Sequence, residues 1–580
     1  MRFVIATVLL TLSAITAALG FTLMGPFEAN ASKRVDFDTK SPYSYVIIPH
    51  KTLMSFEGDI SIEASGTKEI FFAEARERDI QDWVGVSNFI RLNLTEETNE
   101  PAITPITAGG LNAKPNGSDM WRTELTVKNK LRTAVTMYDD SGLLLASNGF
   151  NRAPSKISIV WEKDNLVNWP MIVIYCSIGL LALALIMNFV AFRHIRKLKG
   201  PRRRIPKAPS GPKYRRRIRP DVPRRGRRAL GRSSRRKMVI APISLISLSL
   251  LAGCSSPQAI TPEEDSGLEK VSVVVTDGQL QRIMGDLATT VKLADQSRND
   301  KKLATRVSGP ALKIRSVQYR LQIKSKKIPA LPDLVAKPVT VALPMQLPEP
   351  NVGWVPRTVM VVTRSDSTKK APQMMVLQQK YPRENYKLWY LIDLLPTSNF
   401  PKVAAQSTGA LSVDETNAYL ATPLKNLPYK YGQVLNKELE SQYAPEFDLT
   451  SDKFYASLSE SQSQQKTDLT KVNASISFTH SLGSKNILGM LTLGAGEGGA
   501  GGLVAIEMLD TSIIKPKVRG VAVSVTQPDH KILLGAPGSS TGLRIIYSNM
   551  LLFYVPLAGS EEKIRLVGAS QGILSVKALK

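Results

Sequence analysis

Four histidines, His50, His194, His480 and His530, lie singly along the chain, with no H-x-x-x-H pair among them. The two cysteines, Cys176 and Cys254, each belong to an apolar run, so no Cys/His set with zinc spacing exists. Gly538-Ser539-Ser540-Thr541-Gly542 matches G-x-S-x-G, in which Ser540 would be a hydrolase nucleophile. That elbow needs a strand-to-helix turn, with an acid and then a histidine downstream. Here Leu543–Tyr547 reads as a strand and no histidine follows His530. Gly494-Ala495-Gly496-Glu497-Gly498-Gly499 has the G-x-G-x-x-G spacing, but a dinucleotide loop must open a helix. Leu503–Leu509 reads instead as a strand, which makes the glycines a hairpin loop. Asp79 with Asp82, and Asp139 with Asp140, are the closest carboxylate clusters. Two carboxylates can hydrolyse a glycoside when their separation in space is right, yet by position these read as helix-surface and turn residues. No catalytic residue, metal ligand or cofactor site is assigned, and no cofactor is expected.

The stronger chemical signal is at Cys254. Met238 to Gly253 is a sixteen-residue apolar run preceded by Arg235, Arg236 and Lys237 and closed by Leu251-Ala252-Gly253-Cys254. Its order of basic residues, apolar run, small pair and cysteine resembles the lipobox of bacterial lipoproteins. The resemblance implies that the Cys254 thiol receives a diacylglyceryl group and that a signal peptidase cuts before it. Such a signal normally begins a chain, and this one is internal. Three outcomes stay open: cleavage into two pieces, an uncut third membrane segment, or a gene fusion with Met238 as a former start.

Other elements set where that cysteine lies. Phe3 to Met24 is an uncharged apolar run of 22 residues that closes at Gly25-Pro26, and Met171 to Phe192 is a second, fronted by Trp161, Trp169 and Tyr175. The first is an anchor or, with Ala29-Asn30-Ala31 as cleavage site, a signal. Of the net charge of +27, residues 193–237 carry 21 Lys/Arg against the single acid Asp221. Positive charge holds its loop in the cytoplasm, so residues 25–170 and 255–580 are expected outside, in a multi-pass cell-membrane protein. With six prolines and four glycines, the same stretch has no means of forming a packed core. It is expected to lie against anionic lipid head groups. Its one aromatic, Tyr214, provides no stacking platform, so nucleic acid is not expected as a partner.

Short alternating runs between Tyr43 and Trp161, broken by Gly, Asn and Pro, predict a β-sandwich-like outer domain with a helix at Glu77–Val84. Beyond residue 270, Leu280, Ile283, Met284, Leu287, Val291 and Ala294 recur at helical spacing behind a Thr276-Asp277 cap. Strands are predicted at Ile314–Ile323, Val359–Thr363, Gln373–Gln378 and Tyr386–Ile392. The pattern repeats, with helices at Tyr429–Glu440 and Ser451–Gln464, then strands near Val472–Phe478, Leu503–Leu509, Val518–Val525, Ile564–Val567 and Ile573–Val576. This order predicts two α+β domains and resembles the curved-sheet, nuclear-transport-factor-like folds. The expected segments are therefore 1–24 (anchor or signal), 25–168 (β-rich domain), 171–192 (transmembrane helix), 193–237 (disordered linker), 238–254 (lipoprotein-type signal or third membrane segment), 255–410 and 411–580 (two α+β domains).

Five stretches carry a further resemblance: AEARERDIQDWVG (Ala73–Gly85), SDMW (Ser118–Trp121), LLLASNGFNRAPSKISIVW (Leu143–Trp161), VSGPAL (Val307–Leu312) and LLFYVPLAGS (Leu551–Ser560). Together with the spans and lipobox, they resemble an actinobacterial membrane protein and lipoprotein family of unknown function. The resemblance implies a location and no activity. A non-catalytic binding or scaffold role toward an envelope protein or glycan is the expected function. The alternative is an envelope enzyme or accessory factor acting on cell-wall glycans.

Overall fold

The computed structural model describes residues 2–40, 42–162, 169–198, 272–349, 352–365, 370–396, 400–493, 500–518 and 521–580. Cys254, the Arg/Pro-rich stretch and Gly494–Gly499 lie outside the described residues. The chain divides into a unit made of residues 1–25 and 168–270 and a unit made of residues 26–167 and 271–580.

The first unit holds α1 (Arg2–Ala31), which runs on through Gly25 and Pro26 where a stop was expected. An interior proline removes a donor and crowds the preceding turn, yet α1 continues past it. Windows in α1 (Phe3–Met24) and in the later helix Trp169–Leu198 (Pro170–Lys197) are long and apolar enough to cross a membrane. The two helices touch where Gly20 leaves no room for a Cβ beside Ile174 and where Ser13 Oγ donates to the Ser177 carbonyl at 2.8 Å. Small residues and a buried hydroxyl are what helix pairing in an apolar solvent uses.

In the second unit, residues 32–162 form one mixed sheet. Its elements are β1 (Ser32–Asp38), β2 (Tyr45–Ile48), α2 (His50–Leu53), β3 (Asp59–Arg76), α3 (Glu77–Val84), β4 (Phe89–Leu94), β5 (Pro101–Ile106), β6 (Thr123–Val135), β7 (Ser141–Ala146) and β8 (Lys156–Glu162). The strand order is β1-β8-β3-β7-β2-β4-β5, with β6 on β3. One eighteen-residue strand, β3, carries β6 along one edge and both β8 and β7 along the other. This forces a single sheet that curls until β1 approaches β5. A nearly closed, barrel-like sheet therefore replaces the expected sandwich of two packed sheets.

Alternation along the strands buries both faces. Val46, Ile48, Ile60, Ile62, Phe72 and Trp161 fill one side, while Tyr45, Ile47, Phe71, Ala73 and Leu144 point to the other. The second face is covered by Ile80, Trp83 and Val84 of α3 and by Met120 and Trp121 of the loop before β6.

After α4 (Trp169–Leu198), the described chain resumes with α5 (Asp277–Ser297), α6 (Asp300–Leu303) and α7 (Gly309–Lys324). A four-stranded antiparallel sheet follows, built of β9 (Val339–Pro344), β10 (Arg357–Thr363), β11 (Gln373–Gln379) and β12 (Lys387–Asp393), in the order β12-β11-β10-β9. Then come β13 (Ser412–Val413), α8 (Leu427–Lys437), α9 (Lys453–Lys471), β14 (Ala474–Leu482), β15 (Leu488–Leu493), β16 (Ala500–Pro516), β17 (Val523–Ser524), α10 (Pro528–Leu534), β18 (Gly538–Ser539), β19 (Leu543–Pro556) and β20 (Arg565–Ala578). They build a six-stranded sheet, β13-β15-β16-β19-β20 with β14 on β16, and the small β17-β18 ribbon. The two sheets share a core in which Val361, Tyr390 and Ile392 meet Met490, Leu552 and Val567.

The expected cap of α5 is present as a reciprocal capping box: Gln279 N donates to Thr276 Oγ1 and Thr276 N donates to Gln279 Oε1. The strand predicted at Ile314–Ile323 is instead the helix α7. Its apolar residues face two cores, Ala311 and Tyr319 toward one and Val317 and Leu321 toward the other. A helix buried on two sides loses its 3.6-residue stripe, and the Gly309-Pro310 start was the signal that sets it apart from a strand.

Candidate functional site

The site begins on α3, the AEARERDIQDWVG stretch. Helical spacing puts Arg76, Asp79 and Asp82 on neighbouring turns, and Asp79 points inward, only 1% exposed. This corrects the expectation of a surface carboxylate. Arg76 Nη1 donates to Asp79 Oδ2 at 3.0 Å, and Arg357 Nη2, from the start of β10, donates to Oδ1 at 2.6 Å. Both arginines are buried, and Arg357 also lies 3.7 Å from Asp82 Oδ2. Burial pushes the Asp79 carboxyl up, but the charges of Arg357 and Arg76 outweigh it and leave the group below its ordinary range. At Asp82, burial wins over Arg357 and the carboxyl is raised. Both Asp79 oxygens are thus occupied by guanidinium groups, which ties this carboxylate into an ion-pair cluster.

A second buried pair lies beside the first. Asp119, in the SDMW stretch, is 1% exposed and receives both Nη atoms of Arg306 and the backbone N–H of Tyr386 at 2.8 Å. Burial, opposed by Arg306, raises its carboxyl above the ordinary range. The Tyr386 phenol is wholly buried next to Arg357, Asp79 and Asp119, and burial pushes it far up.

Around the two pairs, side chains hold carbonyls across a seam between residues 26–167 and residues 271–580. Arg383 donates to the Trp83, Val84 and Leu111 carbonyls and to Ser87 Oγ, with its guanidinium 5.3 Å from the Trp83 ring. Arg282 donates to the Trp121 and Arg122 carbonyls, and Gln279 Nε2 to those of Asp119 and Met120. In the other direction, Arg78 donates to the Pro348, Glu349 and Val352 carbonyls, and Arg76 to those of Val273 and Val274. Trp354 packs onto the Tyr45–Trp83–Trp121 cluster and carries Arg357 at 4.4 Å.

Asp140 sits at the turn expected for it, bound to Arg122 at 2.6 Å and to Arg76 at 3.2 Å. Ser540 is exposed and is followed by β19, so it forms no strand-to-helix elbow. Gly494–Gly499 lie outside the described residues; Leu493 before them pairs antiparallel with Ala500 after them, at the start of the strand β16. His50 is bonded to the Ser141 carbonyl and His530 to Tyr547. His480 is buried between Asn436, Gln462 and Asp510. Among the described residues no group of His, Cys, Asp or Glu is arranged to hold a metal.

Sequence reasoning missed the arginines. Arg306, Arg357 and Arg383 are single basic residues in unremarkable contexts; only α3 and the SDMW stretch, singled out for resemblance, pointed toward the seam.

Residues 271–493 match the family model described as Domain of unknown function (DUF8094). No curated protein and no solved structure gives a significant match. The chain thus contains an unknown-function domain and two helices able to span a membrane.

Proposed function

We propose that this chain is a non-catalytic envelope scaffold whose regions 25–170 and 255–580 stand together outside the cell membrane, above a cytoplasmic Arg/Pro-rich segment. The observation that carries the reading is the seam. Asp79 and Asp119, from one side of a helix long enough to cross a membrane, are buried against Arg357 and Arg306 from the other side of it. Two regions joined this closely occupy one compartment, so a chain that leaves through α4 must come back. Met238–Gly253 offers the return, as a third segment or as a lipoprotein-type signal, and the 21 basic residues before it favour the cytoplasmic side. Lipid head groups are the proposed partner of that basic segment, and an envelope protein or glycan that of the outer regions. The repeated order of helices followed by a sheet supports two nuclear-transport-factor-like, curved-sheet units in 255–580 as that binding body.

Reporter fusions test the reading. Activity on the outer side is expected after Thr107 and after Ala410, and on the inner side after Pro212. An external reporter at Pro212, or opposite sides for Thr107 and Ala410, overturns it.

A further inference from the structure

We propose that the seam is a self-sufficient protein–protein interface, so that residues 271–580 stay bound to the barrel as a separate chain once the connection between them is cut. The inference concerns affinity and does not depend on which side of the membrane the seam faces.

Three observations carry it. The barrel has its own two apolar clusters, and among the described residues Trp354 is the apolar side chain from beyond residue 270 that packs against them. The C-terminal region likewise buries its own apolar clusters. Each side therefore groups its own apolar residues, unlike the two sheets within 271–580, which share one cluster.

Contact across the seam runs through side chains. Among the described residues no backbone-to-backbone hydrogen bond and no strand pairing crosses it. The cross-seam cations are the six arginines 76, 78, 282, 306, 357 and 383, without a lysine among the described residues. Arginine, tryptophan and methionine are enriched where separate proteins recognise each other, and lysine is depleted there. Trp83, Trp121, Trp354 and Met120 complete that composition here.

Residues 163–271 separate the two sides along the chain. The family model, too, begins at residue 271 and takes in none of the barrel.

The test uses the full chain in membranes, with a protease site inserted after Thr261. Cutting there frees a fragment that contains none of the apolar runs, so only the seam can keep it in the membrane pellet. The wild-type fragment is expected to sediment with the membranes at physiological salt. Arg78 and Arg383 contribute their hydrogen bonds across the seam, so R78A/R383A is expected to release the fragment, with a dissociation constant raised about a hundredfold or more. The released fragment should keep the wild-type circular dichroism and melting temperature, which separates lost docking from lost folding. A wild-type fragment found in the supernatant overturns the proposal. So does equal retention of wild type and double variant, because the seam would then not be what holds the fragment.

Discussion

Arg357 Nη2 donates to Asp79 Oδ1 at 2.6 Å, joining side chains 278 positions apart and both nearly excluded from water. A buried charge is tolerated when its partners satisfy it, and removing one partner strands the rest. Asp79→Asn leaves Arg76 and Arg357 without their shared carboxylate. The expected loss is about 3–5 kcal/mol of unfolding free energy, toward the low end because Asp82 remains near Arg357. Urea unfolding of the purified protein measures it, and a loss below about 1 kcal/mol would show that the cluster is compensated elsewhere. The sign with pH follows from the depressed carboxyl. Its contribution is present above the ordinary value of 3.8 and is lost as acid brings the pH down through the folded-state value.

The cap of α5 gives a smaller, local expectation. Thr276→Ala removes one half of the capping box and should cost about 1 kcal/mol, whereas Thr276→Ser should retain most of it. Equal melting temperatures for the alanine variant and wild type would mean that packing of Leu280 and Ile283 alone fixes the helix start.

These two sites differ in how far they could be read from the sequence. The α5 cap and its six apolar positions are local, within one window, and all six are buried as the spacing demanded. Helix α3 was equally local. Strand lengths were not: within β3, Ile60–Glu63 and Ile70–Ala73 read from the sequence as two short runs because Ser65, Gly66 and Thr67 interrupt the alternation. The structure carries the strand through that point with a register shift and Gly66 at φ +100°. The seam was beyond reach for another reason. Its ion pairs join residues hundreds of positions apart, and a lone arginine carries no periodicity to announce burial. Asp79 read as a surface residue because the cover that buries it comes from beyond residue 270.

A buried polar cluster under α9 predicts an unusual pH response. His480 Nδ1 faces Asn436 Oδ1 at 2.8 Å, and its Nε2 faces Gln462 Nε2 at 3.1 Å and Asp510 Oδ1 at 3.6 Å. Donation from Nδ1 to Asn436 leaves a lone pair on Nε2, which suits Gln462 and repels an ionised Asp510. Burial accordingly pushes Asp510 up to about 6 and His480 down to about 4. A raised acid contributes stability below its ordinary value of 3.8 and loses it as pH rises through about 6. The lowered histidine does the reverse, losing its contribution as pH falls from 6.5 toward about 4. Asp510→Asn removes only the first effect. Relative to wild type, the variant should gain about 2–3 kcal/mol between pH ~4 and pH ~8. Thermal unfolding across that range checks this, and a constant difference would show that Asp510 is not strained at neutral pH.

The final prediction concerns Cys254 and whether the envelope reading includes a lipid anchor. Its warrant is a joint match of Arg235-Arg236-Lys237, the run from Met238 to Gly253 and the closing Leu251-Ala252-Gly253-Cys254. Acyl chains contribute about 0.8 kcal/mol per buried CH₂, so more than one chain anchors stably. Cys254→Ser should abolish incorporation of labelled fatty acid and, where cutting occurs, leave a full-length chain. Cys176→Ser should change neither. Wild-type protein that takes up no fatty acid and migrates only at full length would make Met238–Gly253 a plain membrane segment. The contact of Arg357 with Asp79 does not depend on that outcome.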